Sequence, residues 1–394
     1  MIIYNRSLYS NLEQELHTKQ VTVITGMRQV GKTTALGHLF AMVPSENKIL
    51  LDLENPLYRK LFEEEHFDNV WNNLRQFNIK NTEKAYIFLD EVQNLPNITR
   101  VIKYLYDHWD VKFVLTGSSS YYLRNLFPES LAGRKIVFEM FPLTFSEFLV
   151  FKQVQRQVGD SLKDRAAQKN RIAHERLRPY YMEYLQFGGF PAVILEQNLK
   201  RKSALLTEIF TSYFEKDAKN LADFRDMAKL RDLILLLVPR VGSQVEILKL
   251  ANALGVARET IYNYLSFLEQ TYVVSLLPKH SSSIDRRAAG SKKLYFCDTG
   301  LARALGDMSQ GQSVEQSVFQ CLRGNHALSF YHKNQTNEID FILDDKIALE
   351  VKMSMSQRDM ANLIIRSKTL LLQELYIASL EYTDHPNAIL LTDL

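Results

Sequence analysis

A glycine-rich segment near the start of the chain has the composition and spacing of a phosphate-binding loop. It runs from Gly26 to Thr34, with Gly31 followed directly by Lys32 and Thr33. Glycines let successive backbone N–H groups turn toward phosphate oxygens. We expect Lys32 to contact the β- and γ-phosphates of ATP and Thr33 to ligate Mg²⁺. The predicted nucleotide-binding residues are Gly26, Met27, Arg28, Gln29, Val30, Gly31, Lys32, Thr33 and Thr34.

Two adjacent carboxylates, Asp90 and Glu91, close the apolar segment that begins at Ala85. Ligands of parallel sheets bind at the carboxyl ends of the strands. We therefore expect Asp90 to hold Mg²⁺ and Glu91 to orient or deprotonate an attacking water. A solvated loop start is the alternative, but the phosphate loop upstream favours the catalytic interpretation.

Two further residues are candidates for ATP hydrolysis. Thr116 ends the apolar segment that starts at Lys112, and its hydroxyl could sense the γ-phosphate or position water. A helix cap is the alternative for Thr116. Arg134, at the end of Ser130-Leu-Ala-Gly-Arg134, could reach the nucleotide of a neighbouring subunit. For Arg134 the alternative is a surface ion pair.

A hairpin of carboxylates and lysines is predicted near the C-terminus, over residues 338–352. A loop of Asp344–Lys346 would pair Leu343 with Ile347, and Asp340 would then face Glu350. Glu338 and Lys352 would face each other on the same side. Side chains alternate along a strand, so a second set would point into the core. That set is Ile339, Phe341, Leu349 and Val351.

This hairpin has two interpretations. Asp340 and Glu350 could hold one or two Mg²⁺ ions, and Lys352 could position water and offset charge at a scissile phosphate. The alternative is a solvent-facing hairpin with alternating salt bridges. A loop one residue shorter would separate the two carboxylates, so the register decides between them.

Strands and helices alternate over the first 150 residues, and these elements would position the phosphate loop and the acidic pair. Continuous apolar strands separated by helical stretches predict a parallel sheet covered on both faces. The predicted strands are Val21–Thr25, Lys48–Asp52, Ala85–Asp90 and Lys112–Thr116, and a helix is predicted over Lys32–Met42.

Residues 245–268 have the apolar spacing of two crossing helices with Gly255 at the turn. The outer side of the second helix would carry the residues that enter a major groove in DNA-binding versions. Those residues are Arg258, Glu259, Thr260, Tyr262 and Asn263. Glu259 would repel phosphate, so structural packing remains the alternative. Downstream, the cations Arg286, Arg287, Lys292 and Lys293 predict an exposed loop or wing.

Composition limits the class of protein. The 394 residues are 46% hydrophobic and 24% charged, which excludes a mainly disordered chain. The longest aliphatic run, Leu233 to Val238, is too short to span a bilayer. Only Cys297 and Cys321 occur, so we expect a reducing, cytoplasmic location and no disulfide framework. The net charge of +3 permits a nucleic-acid partner without requiring one.

Taken together, these motifs resemble a bacterial and archaeal family of AAA-like P-loop ATPases. Its members have a helical and winged-helix middle and a C-terminal domain of unknown function that resembles PD-(D/E)XK nucleases. The resemblance rests on the phosphate loop and on Phe88–Gln93, Leu115–Ser119, Leu131–Arg134, Gly188–Pro191, Leu294–Gly300, Glu338–Phe341 and Glu350–Lys352. In the nuclease signature these supply Asp340, Glu350 and Lys352, with Glu315 as an extra acid on the preceding helix.

The resemblance implies an α/β fold in four parts. These are an AAA-like P-loop domain (1–150), a helical connector or lid (151–235), a winged helix-turn-helix (236–290) and a nuclease-like α/β domain (291–394). It implies an Mg²⁺-dependent ATPase whose nucleotide state controls the C-terminal domain. The alternatives are an ATP-regulated DNA- or protein-binding module with slow turnover, and an ATP-gated, metal-dependent nuclease. ATP and Mg²⁺ are the expected cofactors, nucleic acid and further copies of the chain are the candidate partners, and no membrane is expected.

Overall fold

The computed structural model describes residues 3–118, 133–218, 226–281, 283, 285, 287, 290–333 and 337–394. The chain divides into two compact units, the first mainly residues up to Phe141 and the second mainly residues from Pro142 onward. The segments expected as lid, helix-turn-helix and C-terminal domain fall mostly in the second unit, and their separation into domains stays a prediction. Residues 119, 130–132 and 286, which belong to predicted motifs, lie outside the described residues.

The first unit contains a five-stranded parallel sheet in the order β2-β3-β4-β1-β5. Its strands are β1 (Val21–Thr25), β2 (Lys48–Asp52), β3 (Ala85–Asp90), β4 (Val111–Gly117) and β5 (Lys135–Glu139). Its helices are α1 (Tyr9–Glu15), α2 (Lys32–Met42), α3 (Pro56–Lys60), α4 (Phe67–Arg75) and α5 (Ile98–His108). The four predicted strands and the predicted helix α2 are confirmed, whereas the edge strand β5 was not predicted.

Apolar burial holds this sheet in place. Every residue of β1 and β4 is buried, as expected for central strands of a parallel sheet covered by helices. Helices α4 and α5 contribute Trp71, Leu74 and Leu105 to a continuous core with the strands. The ring of Trp71 stacks on Trp109 with 4.6 Å between centroids. This core fixes the strand ends on which the phosphate loop and the acidic pair lie.

The second unit begins with helices. They are α6 (Phe145–Phe151), α7 (Leu162–Ala167), α8 (Arg171–Phe187), α9 (Pro191–Leu195), α10 (Leu199–Ser212), α11 (Met227–Leu237), α12 (Ile247–Leu254) and α13 (Arg258–Gln270). The two helices predicted around Gly255 are α12 and α13, and Gly255 adopts the left-handed conformation with φ 64°. None of the described helices has the length and apolar character needed to cross a membrane.

The described residues of the second unit also form two sheets and three longer helices. An antiparallel pair, β6 (Val274–Leu277) and β7 (Lys293–Phe296), follows α13. The other sheet has the order β12-β11-β10-β9-β8. Its strands are β8 (Leu328–His332), β9 (Glu338–Leu343), β10 (Ile347–Lys352), β11 (Glu374–Ser379) and β12 (Ala388–Leu390). The remaining helices are α14 (Thr299–Leu305), α15 (Gln310–Leu322) and α16 (Gln357–Ser367).

Candidate functional site

The phosphate loop joins β1 to α2 in a conformation that depends on its glycines. Gly26 and Gly31 have φ values of 152° and 102°, which L side chains rarely adopt. A Cβ on Gly26 would lie 2.1 Å from the backbone oxygen of Met140, so no larger residue fits. Helix α2 begins at Lys32, and its N-cap residue, Gly31, has no side chain that could cap it. The first N–H groups of α2 and the helix dipole form a site suited to an anion.

Lys32 is folded back over the loop from which it starts. Its Nζ donates to the carbonyl oxygens of Gly26 and Met27, each at 3.0 Å. The residue is only 4% exposed. The ammonium group therefore lies inside the loop, where its charge faces the same space as the backbone N–H groups.

The phosphate loop and the acidic pair meet through two threonines. Thr33 Oγ1 donates to Asp90 Oδ2 over 2.7 Å, and the hydroxyl of Thr116 donates to the other oxygen of Asp90. Thr116 Oγ1 also accepts from the backbone N–H of Glu91 at 3.1 Å. Thr116 is fully buried. It therefore braces both members of the acidic pair, a contact that its position in the sequence did not suggest.

Glu91 leaves the end of β3 with a backbone that is unusual for a side-chain-bearing residue. Its φ is 54°, in the left-handed region, and such conformations cluster at functional sites. The amide of Gln93 donates to the Glu91 carboxylate and, at 2.9 Å, to Ser118 Oγ. Gln93 Oε1 is buried without a hydrogen-bond partner in the described part of the chain.

Gln93 was not assigned a role from the sequence. The signal available there was its place two residues after Glu91, in the motif Phe88–Gln93. A short 3₁₀ turn over Val92–Asn94 brings its amide back to the carboxylate. Gln93 thus restricts where the Glu91 side chain can lie.

Arg134 and the phosphate loop lie at opposite ends of the strands in this sheet. The carbonyl oxygen of Arg134 accepts from the N–H of Val21, the first residue of β1, whereas the loop follows the last residue of β1. Five strand residues span about 16 Å. Arg134 Nε contacts Asp107 Oδ1 at 3.2 Å, with both side chains about a third exposed. The structure contains the surface ion pair, and a role at a neighbouring subunit's nucleotide stays a prediction.

A second set of charged residues surrounds Lys293 in the second unit. Its Nζ lies 2.7 Å from Glu338, 2.9 Å from Glu315 and 3.4 Å from Asp340. The expectation that Lys293 lies in an exposed loop is wrong, since it begins β7 and is only 1% exposed. Three carboxylates that no local pattern links to Lys293 account for its burial. We call Lys293, Tyr295, Glu315, Glu338 and Asp340 the Lys293 cluster.

The charges of the Lys293 cluster are not balanced, because three carboxylates share one ammonium group. Burial lowers the pKa of Lys293, but Asp340, Glu315 and Glu338 outweigh it and hold that pKa well above its usual value. Burial raises the pKa of Glu315 to about 7, with the negative charge of Asp340 adding to the rise and Lys293 opposing it. The Tyr295 hydroxyl donates to Glu315 at 2.6 Å. Glu315 therefore takes up a proton at a higher pH than a glutamate in water does.

The hairpin turn has the predicted length and register. Leu343 pairs with Ile347 and Phe341 with Leu349. Where the pairing of β9 with β8 passes Ser329 and Tyr331, it contains an irregularity. Asp340 Oδ2 accepts from the N–H of Val351 at 2.8 Å. The strands are thus built as expected up to the point where the polar residues begin.

Beyond that point the carboxylates have different partners from those predicted. Glu350 Oε1 lies 2.7 Å from Lys352 and 2.9 Å from Arg366, while Glu338 pairs with Lys293 rather than facing Lys352. Glu350 is 4% exposed, and its Oε2 has no hydrogen-bond partner among the described residues. Within the described ranges, no three His, Cys, Asp or Glu side chains are grouped so as to hold a metal ion. The charge of Glu350 is thus neutralised by a lysine and an arginine.

Two family models match separate parts of the chain. A family model described as an AAA domain matches residues 18–149, which contain the phosphate loop, Asp90, Glu91 and Thr116. A second model, described as Domain of unknown function (DUF8612), matches residues 178–312. The second model names no activity and does not support the expected nuclease-like domain.

Two relatives and two solved structures align with most of this chain. An uncharacterized protein of Methanocaldococcus jannaschii is 28% identical over 349 residues, covering 84% of this chain and 74% of the relative. An uncharacterized protein of Haemophilus influenzae is 27% identical over 355 residues, covering 86% and 84%. The Aeropyrum pernix ORC1 protein in complex with DNA aligns with a TM-score of 0.33 and 14% identity, covering 77% of this chain and 92% of that one. The Thermotoga maritima RuvB Holliday junction branch migration motor aligns with a TM-score of 0.31 and 16% identity, covering 70% and 90%.

The family match and the local geometry agree in the first unit. The matched residues contain the glycine loop, the strand that ends in Asp90 and Glu91, and the parallel sheet that brings them together. Residues 18–149 are therefore similar to an AAA domain in sequence, and they contain a phosphate loop at the end of a parallel strand.

Proposed function

We propose that this protein binds ATP together with Mg²⁺ at the edge formed by the phosphate loop and β3, and that it hydrolyses the bound ATP. The observation that carries this proposal is the hydrogen bond between Thr33 and Asp90, which joins the loop to the acidic pair. Hydroxyl and carboxylate oxygens are ligands that Mg²⁺ accepts. The residues present therefore fit the metal–nucleotide pair.

Each residue of the site has a separate role in this proposal. The N–H groups of the loop and Lys32 bind the phosphates, and Thr33 and Asp90 would hold the metal ion. Mg²⁺, when bound, would neutralise charge on the phosphates. Glu91 orients the attacking water, while Thr116 and Gln93 hold the backbone and carboxylate of Glu91 in place.

The Lys32→Ala variant tests the nucleotide site. It removes the charge-assisted contact to the phosphates, so we expect it to abolish hydrolysis and to weaken ATP binding. Lys103→Ala is the matched control, because Lys103 is an exposed lysine on α5 of the same unit. Binding is measured with a fluorescent ATP analogue, with Mg²⁺ and with chelator. Hydrolysis by Lys32→Ala at the rate of the control would overturn the proposal.

We further propose that the second unit binds nucleic acid and that ATP turnover controls this binding. The exposed side of α13 carries Arg258, Tyr262 and Asn263, and Tyr262 is 59% exposed although it is aromatic. Helix-turn-helix proteins contact bases with this helix. Glu259 is exposed on the same helix and opposes phosphate binding.

Binding is favoured over cleavage for the C-terminal strands. Lys293, Lys352 and Arg366 already contact the carboxylates of the predicted nuclease signature. The test is incubation of the protein with DNA in Mn²⁺, read by both gel retardation and strand cleavage. We expect retardation without cleavage. Cleavage that disappears in both Asp340→Asn and Glu350→Gln would overturn this proposal and favour the ATP-gated nuclease.

A further inference from the structure

An open cleft of about 1030 Å³ lies beside the edge strand β8 in the second unit. Its position is set by backbone hydrogen bonds, because the chain after β6 runs along β8. Phe330 N–H donates to Pro278 at 3.1 Å, and His280 N–H donates to Phe330 at 2.6 Å. Lys279 thereby forms a parallel bridge with Phe330. One wall of the cleft is therefore anchored to the five-stranded sheet.

Positively charged side chains line this cleft. Among the described residues, the cations Lys279, Arg287 and Lys333 line it together with one carboxylate, Asp345. Asp345 pairs with His280 at 3.1 Å and with Arg287 at 3.2 Å. Neither lysine has an ion-pair partner within the residues that the structure describes. Two lysine charges are thus available to a ligand.

Apolar and aromatic side chains also line the cleft. Tyr331, Leu370 and Leu372 line it and also pack against the core cluster that contains Leu363. Beside them Leu371 is 99% exposed. We call this cleft, lined by lysines and by apolar and aromatic side chains, the Lys279 cleft.

We propose that the Lys279 cleft binds a single strand of nucleic acid, with phosphates at Lys279 and Lys333 and a base against Tyr331. This inference rests on the proposed binding of nucleic acid by the second unit, and it names a surface separate from α13. Grooves that bind single strands combine cations that follow the backbone with aromatic rings on which bases stack. The carboxylates of an acidic peptide would satisfy the lysines but bring no flat ring of their own for Tyr331, whereas every nucleotide carries a base beside its phosphate. The combination therefore favours a nucleic-acid strand.

The test uses the full chain and fluorescence anisotropy. The probes are labelled oligo-dT and oligo-rU of about 20 nucleotides, long enough to cover a site of ordinary size. The test variant is Lys279→Glu/Lys333→Glu. The matched control is Lys163→Glu/Lys200→Glu, which changes the charge equally at two exposed lysines of the same unit. A Lys279→Gln/Lys333→Gln variant removes the charges without reversing them, in case the first variant does not fold.

We expect the test variant to lose roughly tenfold or more in affinity, because each phosphate contact releases counterions. The slope of log affinity against log salt should shrink by about 1.4 for two contacts to a single strand. The control should keep both its affinity and its slope. The two probes show whether the strand is DNA, RNA or either.

Three results would overturn the cleft proposal. The test variant binds as tightly as the control, poly-glutamate displaces the probe as well as unlabelled strand does, or the unmodified protein binds neither probe. If only Arg258→Glu/Tyr262→Ala on α13 abolishes binding, nucleic-acid binding stands and the cleft proposal fails. ATP hydrolysis is measured in the same variants, so failure of the nucleotide proposal is seen separately.

Discussion

Thr33 on the phosphate loop donates its hydroxyl to Asp90 at the end of β3 over 2.7 Å, although 57 positions separate the two residues in the sequence. The parallel sheet makes this contact possible, because the carboxyl ends of β1 and β3 lie on the same side of the sheet, with β4 between the two strands. The hydroxyl of Thr116, at the end of β4, donates a second hydrogen bond to Asp90. Three strand ends therefore converge on one carboxylate.

The Thr116→Val variant tests whether Thr116 holds Asp90 and Glu91 in place rather than binding the nucleotide. The substitution keeps the shape of the side chain but removes the hydrogen bonds that Thr116 makes to Asp90 Oδ1 and to the N–H of Glu91, at a fully buried position. We expect a loss of about 1–3 kcal/mol in unfolding free energy and a lower hydrolysis rate, with ATP affinity little changed. Denaturant unfolding and steady-state kinetics measure both. Thr116→Ser keeps the hydroxyl and is the control; equal turnover of the two variants would contradict the role.

Gln93 should act on turnover rather than on substrate binding. Without its amide the Glu91 carboxylate is free to move, and small displacements of catalytic groups lower rates by roughly tenfold to a hundredfold. We expect Gln93→Ala to lower kcat and to leave KM nearly unchanged. Gln93→Glu should be worse, because it places a second negative charge beside Glu91. A change in KM alone, or a Gln93→Glu variant as active as the wild type, would show that Gln93 only packs.

Arg134→Ala decides between the ion pair and a contribution to a neighbouring subunit. An ion pair between partly exposed groups stabilises by at most about 1 kcal/mol, so Arg134→Ala and Asp107→Ala should have equal, small effects on unfolding and none on turnover. We expect this result. The opposite result is turnover that rises with protein concentration in the wild type and is flattened by Arg134→Ala but not by Asp107→Ala.

The sequence predicts those parts of the structure that depend on residues close together in the chain. The strands β1 and β3, the helix α2, the turn at Gly255 and the register at Leu343 each follow from a short apolar pattern or a turn residue. Their bounds match because periodicity and glycine positions are local properties.

The rest depended on contacts between distant segments. Lys293 looked exposed because its neighbours are serine, glycine and lysine, and its three carboxylate partners lie 22 to 47 positions away. Thr116 could be given a phosphate role, but its partner Asp90 depends on the order of strands in the sheet. The contact of Gln93 with Glu91 depends on the left-handed backbone of Glu91, which the residue types in this segment do not predict.

The Lys293 cluster should make stability depend on pH. The pKa of Glu315 is raised to about 7 in the folded protein, above its unfolded value, so the folded state binds more protons between those two pKa values. Stability from this group is therefore greatest at low pH and falls as pH rises through about 7. We expect the apparent melting temperature of Glu315→Gln, relative to wild type, to be higher at about pH 8 than at about pH 5. A constant difference across this range would contradict the assignment.

The measurement that tests the central claim most directly compares ATP binding and hydrolysis in Glu91→Gln. The variant keeps the phosphate loop, Thr33 and Asp90, and it replaces only the group assigned to the attacking water. ATP affinity should stay within a few-fold of the wild type while single-turnover hydrolysis falls by roughly 10²-fold to 10⁴-fold, the usual contribution of a positioned base. Hydrolysis at the wild-type rate, or loss of ATP binding together with activity, would contradict the account.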